Sequence, residues 1–300
     1  VLTGLVVACD GEPRTQTPER EMVLAQATPA PVSEPVTSTV DTAPAKPVNV
    51  SYKDAEVVFR KGHYEEASQL FASYVENKPN DGFGHYMLGL SSWKSGDRGR
   101  AEQALLRAVE LDSENVKVRT NLARVLLEEG RAGDALPHIE KATELKPESF
   151  EVWRVLGNVK GELGRSEEAL DAYRKALVLN EKDGWSMNNY GLVLIKQGRY
   201  EEALPALALA VEVTPGSPVF QNNLGIVLEQ MGRLGGASQS FESAVKSDST
   251  YTKAKISLER VQKRLGNVTV EPLDLSEYSR SFAQEIQRWR TPNPLNDDAR

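Results

Sequence analysis

Glycine recurs at Gly62, Gly96, Gly130, Gly164, Gly198 and Gly232, each 34 residues after the last. Five positions beyond each glycine stands an alanine: Ala67, Ala101, Ala135, Ala169, Ala203 and Ala237. A third row, Tyr74, Ala108, Ala142, Ala176, Ala210 and Ala244, keeps the same interval. Six units in one register constrain the fold strongly. A unit of this length is one supersecondary element that cannot bury its apolar face alone, so neighbours must stack into a solenoid.

One unit, residues 150–183, shows the shape of the element. Trp153, Leu156, Gly157 and Val159 fall on one helical face. Gly164 ends that helix, because glycine tolerates the left-handed C-cap conformation. Ser166-Glu167-Glu168 restarts a helix with acids at its N-terminus, where the helix dipole favours them. Ala169, Tyr173 and Ala176 form the inner face of this second helix, so the unit is an antiparallel helical hairpin. At the eighth position stand Ala55, Gly89, Ala123, Gly157, Gly191 and Gly225. These small residues are expected to face the alanine at position twenty, with large side chains at positions four, seven and twenty-four filling the rest. Pro79, Pro147 and Pro215 end the second helix in units one, three and five; Ser113, Glu181 and Ser249 stand there in the others.

The rows Trp153-Leu156-Gly157, Ala169, Tyr173 and Ala176, completed by Pro79, Pro147 and Pro215, resemble the tetratricopeptide repeat family. The resemblance covers about two-thirds of the chain. It implies an all-α fold: a right-handed superhelix of six helix-turn-helix repeats (48–81, 82–115, 116–149, 150–183, 184–217 and 218–251) with a concave groove lined by the first helices. Residues 252–266 read as a capping helix, with Ile256, Leu258 and Val261 turned to the last repeat and the basic residues to water. Within 267–300, a helix over 274–290 carries Leu275, Tyr278, Phe282, Ile286 and Trp289 as one apolar stripe. Such a stripe either packs back on the solenoid or anchors a partner, a second copy or a membrane surface.

The N-terminal region is of another kind. Residues 1–9 are apolar but too few to span a bilayer. Val6-Val7-Ala8-Cys9 resembles the lipobox of bacterial lipoproteins, and Cys9 is the only cysteine, which makes it the candidate lipidation site. Residues 1–9 then read as the remainder of a signal peptide. Residues 10–47, rich in proline, threonine and alanine, are expected to be a disordered linker. About 40 such residues would hold a domain on the order of 35 Å from a surface, at ~5–6 Å × √n.

In the tetratricopeptide family, positions two, five, six, nine, twelve and thirteen of each unit line the groove. By that register unit two contributes Phe83, Tyr86, Met87 and Trp93, an aromatic surface. Unit three contributes Lys117, Asn121, Arg124 and Glu128; unit four, Glu151, Arg154, Asn158 and Glu162; unit five, Asn188, Asn189 and Lys196; unit six, Asn222, Asn223, Glu229 and Gln230. Asn121, Asn189 and Asn223 share position six. An Asn amide can pair with both the N–H and the C=O of a peptide, so this row resembles the asparagine ladder that holds extended peptides by their backbones. Unit four places Val155 at that position and Asn158 one turn further on. The family's carboxylate clamp is not expected, since Arg124 and Arg154 are present without the rest of its set. Signs are mixed along the groove, which favours neither an acidic nor a basic ligand.

No phosphate-binding glycine loop, serine nucleophile elbow or zinc-binding helix motif occurs. The paired acids Glu65-Glu66, Glu167-Glu168 and Glu201-Glu202 sit at helix starts and read as structural. No catalysis, cofactor or metal is expected. The net charge of −7 argues against a nucleic-acid partner. The sequence therefore reads as a non-enzymatic scaffold for a peptide or protein partner, lipid-anchored in a bacterial cell envelope. Self-association and an accessory role in an enzyme complex are the alternatives.

Overall fold

The computed structural model describes residues 50–266 and 273–291, and these form fourteen helices with no strand among them. The expectations for the lipobox, the linker and residues 267–272 lie outside the described residues. Repeat one pairs α1 (Tyr52–Arg60) with α2 (Tyr64–Asn77), and repeat two pairs α3 (Gly82–Ser95) with α4 (Arg98–Leu111). Repeat three is α5 (Val116–Glu128) and α6 (Ala132–Leu145), and repeat four is α7 (Phe150–Glu162) and α8 (Ser166–Leu179). Repeat five is α9 (Gly184–Lys196) and α10 (Tyr200–Val213), and repeat six is α11 (Pro218–Gln230) and α12 (Leu234–Ser247). Two helices follow, α13 (Thr252–Leu265) and α14 (Ser276–Arg290).

The glycine row does what its spacing requires. All six residues have φ between 73° and 95°, a region that costs an L side chain strain and glycine none. Each lies between the two helices of its repeat. First helices also touch one another from repeat to repeat, α3 with α5, α5 with α7, α7 with α9 and α9 with α11. The stack therefore curves with its first helices inside and its second helices outside.

Within a repeat, the small residue at position eight meets the large one at position twenty-four. A Cβ on Gly157 would lie 2.5 Å from the Tyr173 ring, one on Gly225 2.6 Å from Phe241, and one on Gly191 2.7 Å from Leu207. Position twenty is close as well, with Ala101 O 3.3 Å from a Cβ on Gly89. At position four Met187 is buried in the core, whereas the side chains of four other repeats reach back to the preceding turn. The Trp153 indole N–H donates to Pro147 O at 2.7 Å, Arg119 Nε to Ser113 O at 2.7 Å, and Gln221 Nε2 to Pro215 O at 3.3 Å. His85 Nε2 lies 3.1 Å from Pro79 O, so His85 is a turn clasp rather than a core residue. These bonds tie each of these first helices to a carbonyl of the turn just past the C-cap of the preceding second helix.

α13 closes the stack. Its buried stripe is Ala254, Ser257 and Val261, with Leu258 beside it, whereas Ile256 is 57% exposed. At 100° per residue, position 256 falls off the face defined by 254, 257 and 261, which corrects its assignment to the buried side. Polar contacts also fix this helix. Arg260 Nη2 and Arg264 Nη1 reach the buried Glu229 carboxylate at 2.6 and 3.0 Å. The hydrogen bond from Arg260 holds that carboxyl below the usual range. A depressed pKa contributes stability that is complete above the ordinary Glu range and is lost as pH falls through the lower value. The exchange protection of residues 252–265, taken relative to the intrinsic amide rate at each pH, should therefore fall as pH drops below about 4, and Glu229→Gln should lower it already at pH 7. Unchanged protection in both cases would contradict this role for Glu229.

α14 lies across α10 and α8 on the outer surface. Phe282 and Ile286 are buried, and the Phe282 ring packs on Tyr190 at 5.5 Å and on Trp289 at 5.6 Å, the latter edge-on. Arg174 sits over the Tyr190 and Trp289 rings at 5.8 and 5.7 Å. Arg290 Nη1 pairs with Glu181 at 2.6 Å, and Arg233 donates to the Tyr278 hydroxyl at 2.6 Å. The apolar stripe is thus engaged by its own chain. Its seat has a sequence signal: position seven is Leu88, Leu122, Leu156 and Leu224 in four repeats but Tyr190 in repeat five.

Candidate peptide-docking groove

The inner face of repeats two to four holds a pocket of about 670 Å³. Its lining comes from α3 (Phe83), from α5 and its N-cap (Asn115, Val116, Lys117, Thr120, Asn121, Arg124), and from α7 with the turn before it (Lys146, Ser149, Glu151, Val152). Phe83 is 56% exposed, an unusual position for a large aromatic side chain. It continues an aromatic row: Tyr52 stacks on Phe83 at 5.7 Å, and Phe83 meets Tyr86 at 5.8 Å. Asn121 Nδ2 donates to the Tyr86 hydroxyl at 3.1 Å, and Arg124 Nη1 lies 3.5 Å from Asn121 Oδ1. Burial raises the Tyr86 phenol and pushes that of Tyr52 up to about 12, with Glu56 adding to the latter. Both phenols are therefore neutral at pH 7; that of Tyr86 accepts from Asn121, and the Tyr52 hydroxyl is buried with no partner among the described residues.

The groove is less mixed in sign than its sequence implies, because most of its carboxylates are spent elsewhere. Glu128 pairs with Arg98 at 3.1 Å, Glu162 with Lys196 at 3.7 Å, and Glu229 with the two arginines of α13. Arg154 is also withdrawn: it is 7% exposed and its Nη1 binds Asp183 at 2.6 Å, joining repeat four to repeat five. What remains around the pocket is Lys117, Arg124 and Lys146 against Glu151, whose carboxylate accepts from the Ser149 hydroxyl at 2.7 Å. The local balance is positive on a chain whose net charge is −7.

The asparagines are brought together, but mostly with one another. Asn222 Nδ2 donates to Asn223 Oδ1 at 3.4 Å, Asn223 to Asn188 at 2.8 Å, Asn188 to Asn189 at 3.0 Å and Asn189 to Asn158 at 2.9 Å. The Tyr173 hydroxyl ends the chain on Asn158 Oδ1 at 2.8 Å. This relay runs through α11, α9, α7 and α8, and all five asparagines are buried, Asn188 completely. The expectation of a solvent-facing row is corrected accordingly for Asn158, Asn188, Asn189, Asn222 and Asn223: each inner amide spends a donor and an acceptor inside the protein. The relay stops at Asn158 in repeat four, and Asn121 bonds Tyr86 and Arg124 instead, so the position-six row is broken at Val155. Asn222 Oδ1, at the far end, is buried with no partner among the described residues. Of the other expected groove residues, Lys117, Asn121 and Arg124 line the pocket, and Tyr86 stands behind it, bonded to Asn121. Trp93 lies deeper on α3, half-buried against the core of repeats two to four. Lys146, Ser149 and Thr120 join the pocket without having been foreseen. The first two stand in an inter-repeat turn, outside the groove positions of the register.

Among the described residues no group of three or more His, Cys, Asp or Glu side chains could hold a metal, and no helix is long and apolar enough to cross a membrane.

A tetratricopeptide repeat family model matches residues 86–150, 120–184, 154–218 and 189–252, which together span more than half of the 300 residues. No curated protein gives a significant sequence match. Among solved structures, the tetratricopeptide protein TTC0263 of Thermus thermophilus superposes with a TM-score of 0.54 at 20% identity, covering 61% of this chain and 99% of that one. PilF of Pseudomonas aeruginosa gives 0.58 at 18% identity, covering 71% and 95%. MamA of Desulfovibrio magneticus gives 0.51 at 20% identity, covering 54% and 91%. At these identities the likenesses establish the fold, whereas the repeated family match and the glycine-punctuated hairpins establish descent: the chain belongs to the tetratricopeptide repeat family, whose members are generally non-enzymatic scaffolds for protein–protein interaction.

Proposed function

We propose that this protein is a membrane-tethered scaffold of the bacterial cell envelope, whose groove docks a peptide or protein segment during assembly of an envelope complex. The observation that carries the docking reading is the pocket of repeats two to four. It combines an exposed phenylalanine with three cations and the Asn121–Tyr86 pair on one concave surface. Small, convergent polar groups around an aromatic floor are what orient a bound segment. The tether rests on Cys9 and the residues before it. One diacyl-type modification supplies two chains, enough for stable anchoring where a single chain gives only marginal binding. Mass spectrometry of the native protein should find Cys9 acylated, and Cys9→Ser should move the protein from the membrane pellet to the supernatant. Unmodified Cys9 together with soluble fractionation would remove the tether and leave the docking reading to stand on the pocket.

A further inference from the structure

The docking reading, on which this inference rests, can be carried to the occupant of the pocket. Lys117 and Lys146 are exposed and, among the described residues, neither takes part in an ion pair. With Arg124 they favour carboxylates, and the 56% exposed Phe83 beside them favours an apolar side chain. The described chain begins at Val50, two residues before Tyr52, whose ring stacks on Phe83. The preceding residues therefore join the solenoid at the rim of this pocket.

Their sequence carries the matching chemistry. In residues 10–49 one place alone sets two carboxylates next to three large apolar residues: Glu19-Arg20-Glu21-Met22-Val23-Leu24. In an extended chain Glu19 and Glu21 project to one side and Met22 and Leu24 to the other, so one strand can meet a basic wall and an aromatic wall at once. The 25 residues between Leu24 and Val50 span roughly 28 Å as a random coil, which makes the pocket accessible in cis. We propose that residues 19–24 occupy this pocket in the same molecule. Glu19 and Glu21 lie against Lys117, Arg124 and Lys146, and Met22 and Leu24 cover Phe83, so that a partner segment enters by displacing them. A tethered segment acts at an effective concentration of about 1 mM. If the segment's own Kd for the pocket is about 100 µM, a competing peptide is then weakened roughly tenfold.

The test uses the full chain and a zero-length carbodiimide, which joins a carboxylate to a lysine amine with loss of water only when the two are in contact. Amide links from Glu19 or Glu21 to Lys117 or Lys146 are expected in the monomer band and should disappear in Phe83→Asp. In parallel, a fluorescent peptide of residues 16–28 should bind the chain carrying Glu19→Gln, Glu21→Gln and Leu24→Asn about tenfold more tightly than the unmodified chain. Links confined to a dimer band would make the occupant a second copy and overturn the proposal. Absence of links, with equal peptide affinity for both chains, would also overturn it while leaving the docking reading intact. Absence of links with no peptide binding to either chain would remove both.

Discussion

Tyr173→Ala should destabilise repeats four and five by about 4 kcal/mol, the range for truncating a large buried aromatic. The residue is 1% exposed and its ring fills the space that Gly157 leaves open. Its loss opens a cavity between the two helices of repeat four, which the curved backbone of a stacked solenoid cannot close locally. Tyr173→Phe keeps the ring and removes the hydrogen bond to Asn158. Since Asn158 Oδ1 still accepts from Asn189, that change should cost only about 1 kcal/mol. Asn189→Ala should fall between the two, at about 2 kcal/mol, because it removes one amide from the relay and leaves the buried Asn188 Nδ2 without its acceptor. Urea unfolding read by tryptophan fluorescence checks the series. Equal costs for the Phe and Ala variants would mean that the ring contributes nothing to packing, contrary to this structure.

The other large effect is on binding. Lys117→Glu combined with Arg124→Glu should weaken binding of the peptide of residues 16–28 about 100-fold at low salt. Two charge-assisted hydrogen bonds at roughly 1.5 kcal/mol each, near the low end of their range, give a loss of this size. The effect should shrink as ionic strength rises, because the pocket is open to solvent and its charges are screened beyond a Debye length of about 10 Å at 0.1 M. Lys175→Glu is the control. That lysine sits over the Trp153 ring at 4.2 Å in a separate pocket, lined also by Trp289 of α14 on the outer surface, and its reversal should leave binding unchanged. Fluorescence anisotropy measures both. A fall of less than threefold in the double variant would place docking outside this pocket.

The repeat fold was legible because its determinants are local. Gly62 to Gly232 stand at left-handed turns, and alanine and glycine rows mark close helix contacts; both follow from spacing along one chain. The apolar stripe of α14 was equally visible, but its destination was not, since Tyr190 signals a seat only when the other position-seven residues are known to lie inside. The asparagines failed differently. Register places Asn188 and Asn223 on the inner face, yet it does not give the distance between neighbouring first helices. At the observed curvature that distance lets amides 35 residues apart bond at 2.8 Å. A row of amides can hold a peptide only if it is not already closed on itself. Glu128 and Glu229 likewise pair with arginines of neighbouring helices, which register does not show, so the groove reads as more mixed in sign than it is.

The groove divides in two: the asparagine relay holds repeats four to six together, and docking is proposed for the basic, aromatic pocket of repeats two to four. Side-chain amide resonances separate the two directly. With each Asn assigned and the peptide of residues 16–28 added to saturation on the chain bearing Glu19→Gln, Glu21→Gln and Leu24→Asn, the Asn121 amide should shift. Those of Asn158, Asn188, Asn189 and Asn223 should keep their positions and their slow exchange with water. Shifts at Asn188, Asn189 and Asn223 with none at Asn121 would contradict this division and return the docking site to the asparagines.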